Sequence, residues 1–320
     1  MNYRLRIITY KWITVFLIFN LSFLIFNSPS AKAQTNKPKT KQPTKTAVKP
    51  KVESNKPAQV SKPTHEPVAL GDDSLSKLKV ILVVGPSEDV TQSYIDEIKG
   101  VSDYLQSLGV QVKEFFHPNA EWKDIVKASK GVHIFVYSGH GTTMGEKGCS
   151  GGFCLSGETF VSSDSIFTEL KLHKNALILF HSVCMSAGSS ASDNRDIGVQ
   201  KAITRVSDYA HPFIKLGAAG YYANNYDGSL KRFLSKFFNK NSIKQIYTEA
   251  ATSWSNIEMN QTYKFNSKFE VSVASNKSTG FSTRTTYING KKKEEKIPCF
   301  KSYDIAYVGI PTFTVIDFFK

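Results

Sequence analysis

Three short apolar runs constrain this chain more than any other feature. Leu78–Val84, Val132–Tyr137 and Ala176–Phe180 are nearly unbroken in apolar residues and show no alternation with polar ones. A run of that kind reads as a strand buried on both faces, as in a parallel sheet covered by helices. Between the first two, Thr91–Leu108 places Tyr94, Ile95, Ile98, Val101, Tyr104 and Leu105 at helical spacing and stops at Gly109. Val110–Phe116 reads as a strand and Ala120–Ser129 as a second helix. The order β-α-β-α-β predicts a doubly wound α/β fold.

Further along, Phe153–Val161 predicts a hairpin turning at Gly157-Glu158, and Ser163–Leu172 a helix capped by Ser162 or Ser163. Gly198–Val206 and Leu230–Trp254 read as helical, with a fifth strand over Phe213–Tyr222 between them. Residues 255–303 are polar, irregular and strand-rich, and Ile305–Val315 reads as a closing strand interrupted at Gly309 and Pro311. Residues 255–320 either complete the sheet or form a subdomain.

The N-terminal part is of another kind. Arg4, Arg6 and Lys11 precede the apolar run Trp12–Phe26, and Ala31-Lys32-Ala33 has the small-x-small form of a cleavage site. Residues 1–33 are therefore expected to be a secretory signal peptide. The apolar run is shorter than the ~20 residues that span a bilayer, so no stable membrane insertion is expected after cleavage. Residues 34–70 are rich in Lys, Pro, Thr and Gln and read as a disordered spacer or propeptide. Residues 71–320 are left as the folded domain of an exported, secreted, periplasmic or cell-surface protein of a bacterium.

The charge follows the same division. Residues 1–33 carry +4 and residues 34–68 carry +6, which leaves only +4 of the total +14 on residues 69–320. A nucleic-acid-binding domain keeps its basic residues on the folded part, so that class is excluded. Four cysteines in 320 residues also exclude a disulfide scaffold.

Ligands of open α/β sheets bind at the carboxyl ends of the strands. Two reactive side chains are expected there. His140 follows the third strand between Gly139 and Gly141, and Cys184 follows the fourth. The glycines would let a substrate backbone approach the imidazole. A thiol needs a partner to form thiolate at neutral pH, and imidazole is the usual one. Such a pair supports acyl transfer, with Cys184 as nucleophile and His140 moving the protons. The N–H groups of Gly141 and Cys184 are the candidates for an oxyanion hole.

Tyr137-Ser138-Gly139-His140-Gly141, followed after an apolar strand by His181-Ser182-Val183-Cys184-Met185-Ser186-Ala187-Gly188, resembles the caspase-like superfamily of cysteine peptidases. That superfamily includes caspases, metacaspases, gingipain- and clostripain-like enzymes and CHAT-type domains. The resemblance runs over roughly Leu78–Trp254. Its intervening hairpin and helix, and Leu216-Gly217-Ala218-Ala219-Gly220, are also similar. It implies a caspase-like three-layer α/β/α sandwich with a mostly parallel central sheet, a Cys184–His140 dyad, and peptide-bond hydrolysis through a thioester. It implies a protein or peptide substrate and no cofactor; nothing in the sequence indicates an activating calcium ion, and no metal site is expected. Many Arg- or Lys-specific members carry an acid two residues before the Cys, where this chain has Ser182. Asp193, Asp196 and Asp227 on nearby loops are the other candidate pocket acids, and Arg195, Lys201 and Arg205 the candidate bases. Tyr221, Tyr222, Asn224 and Asn225 are expected at the carboxyl end of the fifth strand, where the resemblance places pocket-lining residues.

Cys149 and Cys154 flank a glycine-rich loop after His140. A local disulfide is one reading in an exported protein, and zinc binding with a histidine is the other. His133 reads as a core or edge residue, and His181 either packs or tunes the thiol. The expected activity is that of a cysteine endopeptidase. Its rivals are an inactive caspase-like domain serving as an extracellular binding or scaffold module, and a transpeptidase using the same dyad.

Overall fold

The computed structural model describes residues 72–143, 151–157, 159–190, 192–193, 195–276, 281–288, 291–298 and 300–320. The expected signal peptide, the spacer, Cys149 and Cys299 lie outside the described residues. The described elements begin with α1 (Asp72–Leu75), β1 (Lys79–Val84), α2 (Thr91–Ser107), β2 (Gln111–Phe116), α3 (Trp122–Ala128) and β3 (Ile134–Ser138). A small antiparallel sheet of β4 (Gly141–Thr143), β5 (Gly151–Leu155) and β6 (Thr159–Val161) follows, then α4 (Ser163–Glu169) and β7 (Leu177–His181). The remaining elements are α5 (Val199–Lys215), β8 (Gly220–Asn224), α6 (Ser229–Phe238), α7 (Ile243–Trp254), β9 (Ser255–Thr262), β10 (Glu270–Asn276), β11 (Phe281–Ile288), β12 (Lys291–Pro298) and β13 (Tyr303–Gly309).

Eight strands form the central sheet in the order β2-β1-β3-β7-β8-β13-β10-β9. The first five are parallel, and β13, β10 and β9 extend the sheet with antiparallel pairings. Residues after 255 thus complete the sheet, while β11 and β12 pair with each other outside it. No helix among the described residues is long and apolar enough to cross a membrane.

Apart from Lys79 and His133 the apolar runs carry no polar positions, because both faces of the sheet are covered. In β1, Ile81 and Val83 join Ile125 of α3, Ile166 of α4 and Ala202, Val206 and Phe213 of α5. Val80, Leu82 and Val84 face the other way, onto Ile98 and Leu105 of α2, Phe233 and Phe237 of α6 and Ile246 of α7. The result is a helical layer on each side of a mostly parallel sheet. Fully burying one such side chain contributes about 1.5–3 kcal/mol, so paired helical faces are what holds these strands in place.

Two expectations are corrected. The helix expected to end at Val206 continues to Lys215, because Val206, Tyr209, Ala210 and Phe213 keep the helical spacing and all face the core. The fifth strand consequently starts at Gly220, not Phe213, and the break falls at Gly217, whose φ is +100°. The helical segment expected over Leu230–Trp254 is two helices, separated at Asn239–Ser242 with Lys240 at φ +67°.

Candidate functional site

The strand register sets the geometry. Val84 pairs with Ser138, Ser138 with His181, and His181 with Asn224. Four parallel strands therefore end in one row, and their following loops share one edge of the sheet. Chain order reverses between β1 and β3, since β2 lies on one side of β1 and β3 on the other. Such a switch point opens a crevice at the carboxyl ends. Glu88, His140, Cys184 and Asp227 all lie on these four loops.

His140 leaves β3 through Gly139, whose φ of +140° is open to glycine alone. A Cβ on Gly139 would stand 2.7 Å from the Tyr137 hydroxyl. That hydroxyl donates to the carbonyls of His140 and Cys154, both at 2.7 Å, and Cys154 N–H donates to the His140 carbonyl at 3.0 Å. The backbone of His140 is thus clamped while its ring is left half-exposed. The ring's Nε2 meets Glu88 Oε2 at 2.7 Å. Glu88 sits at φ +43° on the turn after β1, where Thr91 Oγ1 donates to its carbonyl at 3.0 Å.

Cys184 is a half-buried free thiol on the turn after β7. Ser182 at φ +53° and Met185 at φ +68° bracket it. Ser186 N–H and Oγ both donate to the Val183 carbonyl, at 3.1 and 2.8 Å. The Tyr209 hydroxyl donates to the Cys184 carbonyl at 3.0 Å. A Cβ on Gly141 would stand 2.5 Å from that same hydroxyl and 2.5 Å from Val183 Cγ1. The His140 and Cys184 loops are therefore in contact, joined by Tyr209 of α5. The glycines beside His140 serve this close packing as well as the access expected of them. Among the described residues no hydrogen bond joins the Cys184 thiol to the His140 ring.

A second group lies beside Ser182. His181, the last residue of β7, is fully buried, with Nδ1 2.8 Å from the Asn224 carbonyl and Nε2 2.9 Å from Glu97 Oε2. Ser182 Oγ is 3.2 Å from Nε2. The remaining Glu97 oxygen accepts the Gly228 N–H at 2.9 Å. Burial acts to raise the Glu97 pKa, but the His181 bond, the His181 charge and the Gly228 N–H outweigh it and the net shift is downward. Burial raises the pKa of Tyr94; its bond with Ser182 opposes this, and the negative Cys184, Asp227 and Glu97 add to the rise.

The other expected residues sort clearly. Ser182 and Asp227 lie in the His181 group. Tyr221 is fully buried within β8 rather than beyond it, and its hydroxyl donates to the Ser186 carbonyl at 2.9 Å. Asn224 is buried too, donating to Tyr222 Oη at 2.7 Å and accepting from Tyr226 N–H at 2.9 Å. Tyr221 thus supports the Cys184 turn through Ser186, whereas Asn224 holds Tyr222, Tyr226 and His181, and neither is exposed to solvent. Asp193 and Arg205 neutralise one another through contacts of 2.6 and 2.9 Å, and Asp196 Oδ1 accepts the Gly198 N–H at 2.8 Å. Cys154 is a half-buried thiol on β5, and Cys149, with which the sequence offered a disulfide, lies outside the described residues; burial and then Glu88 raise the Cys154 pKa.

Sequence reading missed Glu88 and Glu97. Glu88 carries no pattern, being an acid in a loop. Glu97 had a signal: it stands three residues after Tyr94 and four before Val101, on the inward face of α2. No protein-family model matches the chain, and no curated protein matches it.

Proposed function

We propose that the chain is an exported cysteine endopeptidase of caspase-like type, with Cys184 as nucleophile and His140 as proton carrier. The observation that carries this reading is the alignment of strand ends, which brings the two loops onto one edge and into contact through Tyr209 and Gly141. In the proposed reaction the thiol proton passes to His140 Nδ1 as the Cys184 Sγ–carbon bond forms. Glu88 on Nε2 orients the ring and offsets the charge of the imidazolium. The tetrahedral oxygen takes the N–H groups of Gly141 and Cys184. Collapse breaks the carbon–nitrogen bond, and the departing amine takes the proton from His140. Water then attacks the thioester, gives a proton to His140, and releases the acid and the thiol. The substrate is a protein or peptide, and no cofactor enters the scheme.

The test compares wild-type residues 34–320 with Cys184→Ala and His140→Ala on a denatured protein mixture under reducing conditions, with new termini sequenced by mass spectrometry. Cuts made by the wild type and absent from both variants are expected. Equal cleavage by wild type and either variant refutes the dyad. The rival reading is an inactive domain that serves as a binding module. A Cys184 thiol alkylated no faster than Cys154 at neutral pH would select that reading.

A further inference from the structure

We propose that Glu97, His181 and Asp227 form a binding site for one first-row divalent transition-metal ion, beside the Cys184 turn and separate from the His140–Glu88 pair. One ligand atom from each of the three lies within 4.8 Å of the others. The donor set is one imidazole nitrogen and two carboxylates, open to water on the side of exposed Asp227. The imidazole selects against magnesium and calcium, which take oxygen ligands.

The hydrogen bonds around His181 point to a cation rather than to a mere cluster of acids. Nδ1 lies 2.8 Å from a backbone carbonyl that can only accept, so it carries a proton. In a neutral imidazole Nε2 then bears a lone pair, yet it stands 2.9 Å from a carboxylate oxygen that also bears lone pairs. A positive centre, either a proton or a metal ion, is required between them. The side chain is fully buried, where an unpaired charge is costly. An N–H bonded to a backbone carbonyl is also the usual outer support of a metal-bound histidine, and Glu97 has its own support in the Gly228 N–H.

The spacing agrees. Two donors about 2.1 Å from a metal at a right angle are separated by roughly 3.0 Å, whereas tetrahedral donors are separated by roughly 3.4 Å. The observed 2.9 Å fits an octahedral edge and equally an N–H···O hydrogen bond. Asp227 supplies a third position, and waters complete the shell.

The competing account is that a proton alone fills the gap, making His181 an imidazolium paired with Glu97. Manganese(II) alone separates the two. The full chain carrying Cys184→Ala is titrated with Mn2+ and followed by electron paramagnetic resonance, so the outcome does not depend on peptidase activity or on the thiol. Expected are one saturable Mn2+ per chain, nitrogen modulation from a directly bound imidazole, and at least a roughly tenfold loss of affinity in Asp227→Asn. Asp227 is exposed, so that variant folds as the parent does. Absence of saturable binding overturns the proposal, as does binding without nitrogen modulation or binding unchanged by Asp227→Asn.

Discussion

Substituting Gly141 by Ala tests the contact on which the site depends. The added Cβ would meet Tyr209 Oη and Val183 Cγ1, each at 2.5 Å. Relaxed contacts of this kind lie near 3.5–4.0 Å, so the His140 and Cys184 loops must part by about 1 Å or the chain must absorb the clash. Overpacking of this type costs about 1–3 kcal/mol. Tyr209→Phe alone removes the donor to the Cys184 carbonyl, at about 1 kcal/mol. In the double variant the oxygen is gone, and Val183 Cγ1 and the Gly152 carbonyl at 3.2 Å still oppose the Cβ. The cost of Gly141→Ala should then fall by about 1 kcal/mol, a coupling typical of residues in contact. Urea unfolding at 25 °C reads all four proteins, with an unchanged slope expected. Cleavage should fall in Gly141→Ala and recover in part in the double variant. Additivity within about 0.3 kcal/mol would show that Tyr209 does not join the two loops, and the geometric support for the dyad would go with it.

Two further outcomes are expected. Glu88→Gln should leave stability within about 0.5 kcal/mol, since both partners are exposed, yet lower kcat/KM of the proposed peptidase about tenfold or more and move its pH profile; an unchanged profile would remove Glu88 from the reaction. His133 is pushed down from 6.5 to about 4, by burial first and then by neighbouring His173 and Lys79. Between those values the unfolded chain binds a proton that the folded one refuses, so stability is whole above pH 6.5 and falls by up to about 3 kcal/mol as the pH drops to 4. His133→Asn, which keeps an acceptor for the Lys79 N–H, should flatten that slope in urea titrations; the same slope in the variant would place its origin elsewhere.

The parallel half of the sheet was legible because burial on both faces makes β1, β3 and β7 apolar except at the end residues Lys79, Ser138 and His181, a pattern that short helices and edge strands do not share. The boundary between α5 and β8 was not. Phe213 fits both the helical spacing that precedes it and the apolar run that follows, and only the positive φ at Gly217 separates the two. β11 and β12 pair outside the sheet through residues with no apolar stripe to announce them. At the site, His140 and Cys184 were legible as reactive groups at strand ends. Their acidic neighbours were not: Glu88 reaches His140 across 52 residues, and Glu97 reaches His181 across 84. Both meetings follow from strand order and helix placement, which no local pattern encodes.

The distribution of strain supports the placement of the site on this edge. Among the described residues, five non-glycine positions have positive φ: Glu88, Asn175, Ser182, Met185 and Lys240. Two have ordinary reasons. Asparagine tolerates this conformation, and Lys240 closes the end of α6, where helices commonly turn left-handed. The other three lie on the loops after β1 and β7, beside His140 and Cys184. Such a conformation costs of order 1 kcal/mol at each residue and persists only where its surroundings enforce it. Here they do. Thr91 holds the Glu88 carbonyl, Ser186 holds Val183, and the Met185 N–H donates to the Ser189 carbonyl at 2.8 Å. Beneath them the buried hydroxyls of Tyr137, Tyr209 and Tyr221 tie the loop carbonyls to the sheet and to α5. A turn that needed only to reverse the chain would relax to glycine or asparagine at these positions. Strained residues held by buried tyrosines mark a geometry kept against its cost, at the ends of the same strands that carry the thiol and the imidazole.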